Sequence, residues 1–149
     1  MSQLLDRLNY ALEMASTAGQ LILQHYRTDG LLVESKADQS PVTVADRGAE
    51  LLIRQQLQQR FPDDGVLGEE FPDTPSSNGY RWIVDPIDGT VNYYHGMPLW
   101  CCSVALQLGN VTTAGAVYAP EIDELYTATT GGPALLNGSP IHVSNEHEL

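Results

Sequence analysis

The order of hydrophobic patterns along the chain predicts an α+β domain, with two N-terminal helices packed on a mainly antiparallel sheet. Two observations carry this. Apolar residues recur at helical spacing early in the chain, and period-two alternation takes over after Trp100, with turn pairs such as Gly109-Asn110 and Asn137-Gly138 between strand-like runs. At 149 residues the chain is long enough for one core and too short to argue for two.

Leu4, Leu8, Ala11 or Leu12, Ala15, Ala18 and Ile22 share one face of a long amphipathic helix, with Asp6 in its first turn and Gly30 shortly past its end. That face is core packing, and His25 near the end reads as a surface residue. Residues 31–34 predict a short strand. The polar, turn-rich stretch 35–41 that follows predicts a loop, with Lys36 and Asp38 as solvated charges. A second helix is expected over 44–61, with Ala45, Leu51 or Leu52 and Leu57 facing inward and Pro62 ending it. In its first turn, Thr43-x-x-Asp46 has the form of a capping box with Asp in place of Glu or Gln.

The central stretch is Trp82-Ile-Val-Asp85-Pro-Ile-Asp88-Gly-Thr90-Val-Asn92, taken with Gly68-Glu69-Glu70 upstream. Trp82 to Val84 predicts a buried strand. Pro86, which has no N–H to donate, closes it and leaves Asp85 at its end. The turn that follows can bring Asp85 and Asp88 to one side, and Gly89 permits close backbone approach to a ligand. A strand is also expected over 66–70, on which only one of Glu69 and Glu70 can face Asp85. Three carboxylates without a nearby Lys or Arg repel one another, which calls for a hard divalent cation with oxygen ligands, Mg2+ rather than Zn2+. If Gly89-Thr90 opens a short helix or turn, its N–H groups make an anion site beside that cation, and the pair suggests phosphoryl transfer.

Gly68-Glu69-Glu70 followed by Asp85-Pro-Ile-Asp-Gly-Thr90-Val-Asn92 resembles the signature of the inositol monophosphatase family, and the likeness runs from about residue 4 to 143. The resemblance implies the first half of a layered αβαβα fold and Mg2+-dependent, lithium-inhibited hydrolysis of small phosphate monoesters. Carried over by position, it makes Glu69, Asp85, the Ile87 carbonyl and Asp88 metal ligands. It gives phosphate and substrate contacts to Glu69, Asp88, Gly89 and Thr90, and water activation to Asp46 with Thr90, so that Asp46 is read as catalytic rather than only as a cap. The expected substrate is inositol monophosphate, with histidinol phosphate or another sugar phosphate as the alternative. Relatives of this kind carry a further metal-ligating Asp in a second half, within a Trp-Asp-x-Ala-type motif that this sequence lacks. Residues 1–149 are therefore read as the N-terminal metal- and phosphate-binding domain. A catalytically incomplete half-domain that binds metal or phosphate without turnover is the rival of another class.

Between these motifs, 71–79 is a Pro-, Ser- and Gly-rich loop, and Asn92 to Pro98 should be a short helix or turn with Tyr93 and Tyr94 as packing residues and His95 as structural. Strands are expected over 100–108, 111–119 and 125–129, then a hairpin about Asn137-Gly138. The net charge of −12, from 7 basic and 19 acidic residues, argues against nucleic acid or an anionic membrane as partner. It also repels a phosphate substrate unless cations are bound. Adjacent Cys101 and Cys102 point to opposite faces of a strand, so two reduced thiols are expected. With no targeting or transmembrane signal, the expected setting is the cytoplasm. The resemblance adds a homodimer as the expected assembly.

Overall fold

The computed structural model describes residues 2–28, 33–35 and 41–146. Lys36, Asp38 and Gly30 lie outside them, as do Leu31 and Leu32 of the expected first strand. Helix α1 (Ser2–His25) is followed by β1 (Val33–Ser35) and β2 (Pro41–Thr43), which pair antiparallel, and then by α2 (Val44–Arg60). The remainder is a seven-stranded sheet in sequential order: β3 (Gly65–Gly68), β4 (Tyr80–Asp88), β5 (Cys101–Leu108), β6 (Val111–Ala119), β7 (Glu124–Thr129), β8 (Ala134–Leu136) and β9 (Ser139–Ile141). A short helix, α3 (Thr90–Tyr94), sits between β4 and β5. Every pairing in this sheet is antiparallel except β3 with β4, which is parallel. The expected α+β class therefore holds.

Alternation decides what the helices cover. On β4, β5 and β6, the residues Trp82, Val84, Cys102, Val104, Leu106, Ala114, Ala116 and Tyr118 are all buried, and α1 and α2 pack over them through Ala11, Met14, Ala15, Ala18, Ile22, Ala49, Ile53 and Leu57. Leu108, which pairs with Val111 beside the Gly109-Asn110 turn of the β5–β6 hairpin, is exposed. The inward face of α2 is Ala45, Ala49, Ile53 and Leu57, and Leu51 is exposed. The helix ends one residue earlier than expected, with Phe61 as its C-cap. Asn137 and Gly138 both take positive φ (48° and 80°), the requirement of the two-residue turn that joins β8 to β9.

A buried ion pair ties α1 to the α2–β3 connection. Arg7 Nε and Nη2 donate to the two Asp64 oxygens at 2.7 and 2.6 Å, and Trp82 Nε1 and Asn78 Nδ2 complete the Asp64 shell at 2.8 and 2.7 Å. The Arg7 guanidinium also lies over the Tyr80 ring, 3.9 Å from its centroid. Among the described residues, no helix is long and apolar enough to cross a membrane.

Candidate active site

The acids cluster where β4 outruns its neighbour. The parallel ladder from β3 stops at Gly68 opposite Val84, and on the other side the register with β5 slips between Asp85 and Asp88. Pro86 falls inside this irregular stretch, where its missing N–H breaks no ladder bond. It therefore does not close the strand as expected, and β4 continues through it to Asp88. Asp85 is left half-buried, and Asp88 is exposed at the strand's end, opposite Cys101.

β3 ends at Gly68, so Glu69 and Glu70 lie in a bend after the strand rather than on it. Strand alternation cannot choose between them, yet the bend does bring Glu69 to Asp85. Burial, then the Glu69 carboxylate and a hydrogen bond shared with it, then Asp88 and Asp46, push the Asp85 carboxyl up to about 7. Its Oδ1 is buried and has no hydrogen-bond partner among the described residues. A partnerless carboxylate oxygen ringed by other acids is a configuration that a cation relieves. The chemistry of the donor set, hard oxygen throughout, fits Mg2+ in kind. As they stand, the described acids are neighbours rather than a closed ligand set: no three His, Cys, Asp or Glu side chains converge at ion-holding distance.

Asp46 divides its two oxygens between the helix cap and the acid cluster. Its Oδ2 accepts from Thr43 N at 2.8 Å and from Thr43 Oγ1 at 2.5 Å, completing a capping box at the start of α2. Its Oδ1 faces the acid cluster, where Thr90 Oγ1 approaches at 3.4 Å. Burial raises its pKa, against the opposing hydrogen bonds from Thr43 and Thr90. Thr90 Oγ1 also donates to the Ile87 carbonyl at 3.0 Å, so this hydroxyl links the α2 start to the β4 end. Gly89 between them has φ +90°, and an added Cβ would lie 2.9 Å from the Leu99 carbonyl oxygen, so both conformation and space demand glycine. Asn92 Nδ2 donates to the same Leu99 oxygen at 2.7 Å, holding the 89–99 loop closed.

Beneath the loop, Tyr93 is buried and its hydroxyl donates to the Ile22 carbonyl at 2.9 Å, while Tyr94 is exposed rather than packed and has His95 against its ring. Beside Asp88 and Gly89 opens a cavity of about 380 Å³ lined in part by Leu99, Trp100, Val117 and Tyr126. Both cysteines are free. Burial, with Asp88 and Asp85 nearby, pushes the Cys101 thiol up to about 11, which disfavours the thiolate.

Sequence reasoning missed Glu50. This fully buried residue of α2 accepts through Oε2 from the backbone N–H groups of Glu69 and Glu70, at 2.9 and 2.7 Å. The signal was present: Asp46, Ala49, Glu50, Ile53 and Leu57 form one helical stripe, and an acid on an apolar stripe needs an explanation.

A model of the Inositol monophosphatase family matches residues 4–149. The chain is 50% identical over 137 residues to a protein of Chlorobaculum parvum named Histidinol-phosphatase, an alignment that covers 92% of this chain and 53% of that protein. It is 40% identical over 146 residues to Inositol monophosphatase 1 of Solanum lycopersicum, covering 95% and 53%. Among solved structures, the extragenic suppressor protein suhB of Bartonella henselae superimposes with a TM-score of 0.90 at 35% identity, over 95% of this chain and 55% of that one. The chain thus spans about half the length of the curated relatives it matches. Since the family match runs across both helices, the sheet and the acid cluster alike, this chain belongs to the inositol monophosphatase family.

Proposed function

We propose that this chain carries the cation- and phosphate-binding face of a Mg2+-dependent phosphomonoesterase. The observation that carries the reading is the partnerless, buried Asp85 Oδ1 among Glu69, Asp88 and Asp46, directly before the Gly89–Thr90 turn. Glu69, Asp85, Asp88 and the Ile87 carbonyl would hold the cation. When bound, a divalent ion supplies Lewis-acid charge that offsets the acids and stabilises a reacting phosphoryl group. The turn at Gly89 and Thr90 presents backbone N–H groups to phosphoryl oxygens, and Glu69 and Asp88 border the substrate. Asp46 Oδ1, with its partner oxygen locked in the cap, and the Thr90 hydroxyl are fixed to orient a water and accept its proton.

For the substrate, the 50% identity to a protein named Histidinol-phosphatase, against 40% to one named Inositol monophosphatase 1, favours histidinol phosphate over the inositol monophosphate that the sequence suggests first. A second reading is a half-domain that binds cation and phosphate without turnover, favoured by acids that, among the described residues, do not close on one point. Phosphate release from histidinol phosphate and from inositol 1-phosphate, with and without Mg2+, separates these readings. Mg2+-dependent release that falls by at least about 10²-fold in Asp88→Asn, beyond the usual cost of losing a ligand's supporting partner, supports the enzyme. Cation binding without release supports the half-domain. Release unaffected by Mg2+ and by Asp88→Asn contradicts both.

A further inference from the structure

We propose that Glu50, clamped by Arg54 and seated against Gly68, is a positioning residue that sets the Glu69 carboxylate for the cation. The inference rests on the reading of Glu69 as a cation ligand. Glu50 is itself unsuited to that role, because both of its oxygens are committed. Oε2 takes two backbone N–H bonds, from Glu69 at 2.9 Å and Glu70 at 2.7 Å, and Oε1 takes Arg54 Nε at 2.7 Å. Its side chain is completely buried, where an ionised acid persists only if it is paired in this way. Asp85, by contrast, keeps a buried oxygen without a hydrogen-bond partner among the described residues. One acid is thus built into the scaffold and the other is left for a ligand.

The clamp reaches along the chain on both sides of the two acids. Arg54 Nη2 donates to the Phe71 carbonyl at 3.1 Å and Nη1 to Thr74 Oγ1 at 3.2 Å, fixing the chain downstream. Upstream, a Cβ at Gly68 would overlap the Glu50 carboxylate, so glycine is what lets β3 end directly on it. β3 has stopped at Gly68, and beyond it the backbone N–H groups of Glu69 and Glu70 are both held by Glu50. A ligand set held to fractions of an ångström needs such support.

Glu50→Gln, which keeps shape and removes charge, and Gly68→Ala, which keeps Glu50 and displaces it, test this from two sides. Three readouts are taken on the whole chain: Mn2+ affinity by electron paramagnetic resonance, amide exchange at Glu69 and Glu70 by NMR, and the melting temperature. Both variants should bind Mn2+ about 10- to 100-fold more weakly, the usual cost of losing a ligand's supporting partner. Exchange at Glu69 and Glu70 should quicken while core amides stay protected. If one variant fails to fold, the other decides. Folded variants with Mn2+ affinity within about twofold of wild type would reduce Glu50 to a structural acid and overturn the proposal. Wild type that binds no Mn2+ would overturn the cation reading and this inference with it, and the exchange data would then still report whether Glu50 holds the bend.

Discussion

At the scale of single residues, the site is a set of decisions about which oxygen is committed. Asp46 gives Oδ2 to the helix cap and keeps Oδ1 for the site, Glu50 gives both oxygens to the scaffold, and Asp85 keeps a buried one unspent. A carboxyl raised to about 7 works against folding: its native state costs nothing extra at low pH and loses stability as pH rises from the ordinary carboxylate range toward 7. Asp85→Asn should therefore raise stability in the absence of divalent cations at pH 8, by about 1–3 kcal/mol, the scale of an unsatisfied buried polar group. The gain should shrink toward pH 4, and added Mg2+ should stabilise wild type but not the variant. Urea unfolding across pH with and without Mg2+ checks this, and equal stabilities at pH 8 would count against it. The acids themselves were legible in the sequence because Asp-Pro-x-Asp-Gly and Gly-Glu-Glu are short and local. The stripe position of Glu50 was legible but its supporting role was not, because its partners are backbone N–H groups 19 and 20 residues away, which no spacing rule reveals.

At the scale of elements, packing between α1, α2 and the sheet holds the strand ends in register with the helix start. Asp64 is the buried anchor of this arrangement: burial alone would raise its pKa, but hydrogen bonds from Arg7, Asn78 and Trp82 and the Arg7 charge hold it below the ordinary value. Its contribution is complete above the unfolded carboxylate pKa of about 4 and is lost as pH falls through the lower folded value. Asp64→Asn should destabilise by about 3–5 kcal/mol at pH 7, because Arg7 is left buried without its charge partner, and should flatten the acid limb of the melting-temperature profile. Two glycines on the helices separate packing from propensity. A Cβ at Gly19 would lie 2.5 Å from Tyr118 Cδ1, so Gly19→Ala should cost about 1–3 kcal/mol. Nothing lies within 4 Å of a Cβ at Gly48, so Gly48→Ala should gain up to about 1 kcal/mol. Chemical denaturation of both variants checks the opposite signs. Helices and the β5–β6 hairpin were legible from their periods. The parallel β3–β4 pairing was not, because β3 has four residues and its direction is set by the long 69–79 excursion rather than by a turn motif.

At the scale of the whole molecule, a chain with a net charge of −12 that presents its acids at one end of a sheet repels phosphate unless cations intervene. The α+β class and family were legible because the helix periods precede the strand periods and the acid motifs keep their spacing. The continuation of β4 past Pro86 was not, since a proline ends a strand unless a bulge absorbs it, and a bulge depends on the neighbouring strand. The central claim is that this acid cluster is built for a divalent cation. Anomalous diffraction from Mn2+-soaked crystals of the chain tests it most directly. A manganese peak within ligand distance of Glu69, Asp85 and Asp88, with Asp85 Oδ1 turned onto it, is the predicted result. Density that leaves these carboxylates without an ion at millimolar Mn2+, or that places the ion elsewhere on the chain, would contradict the claim.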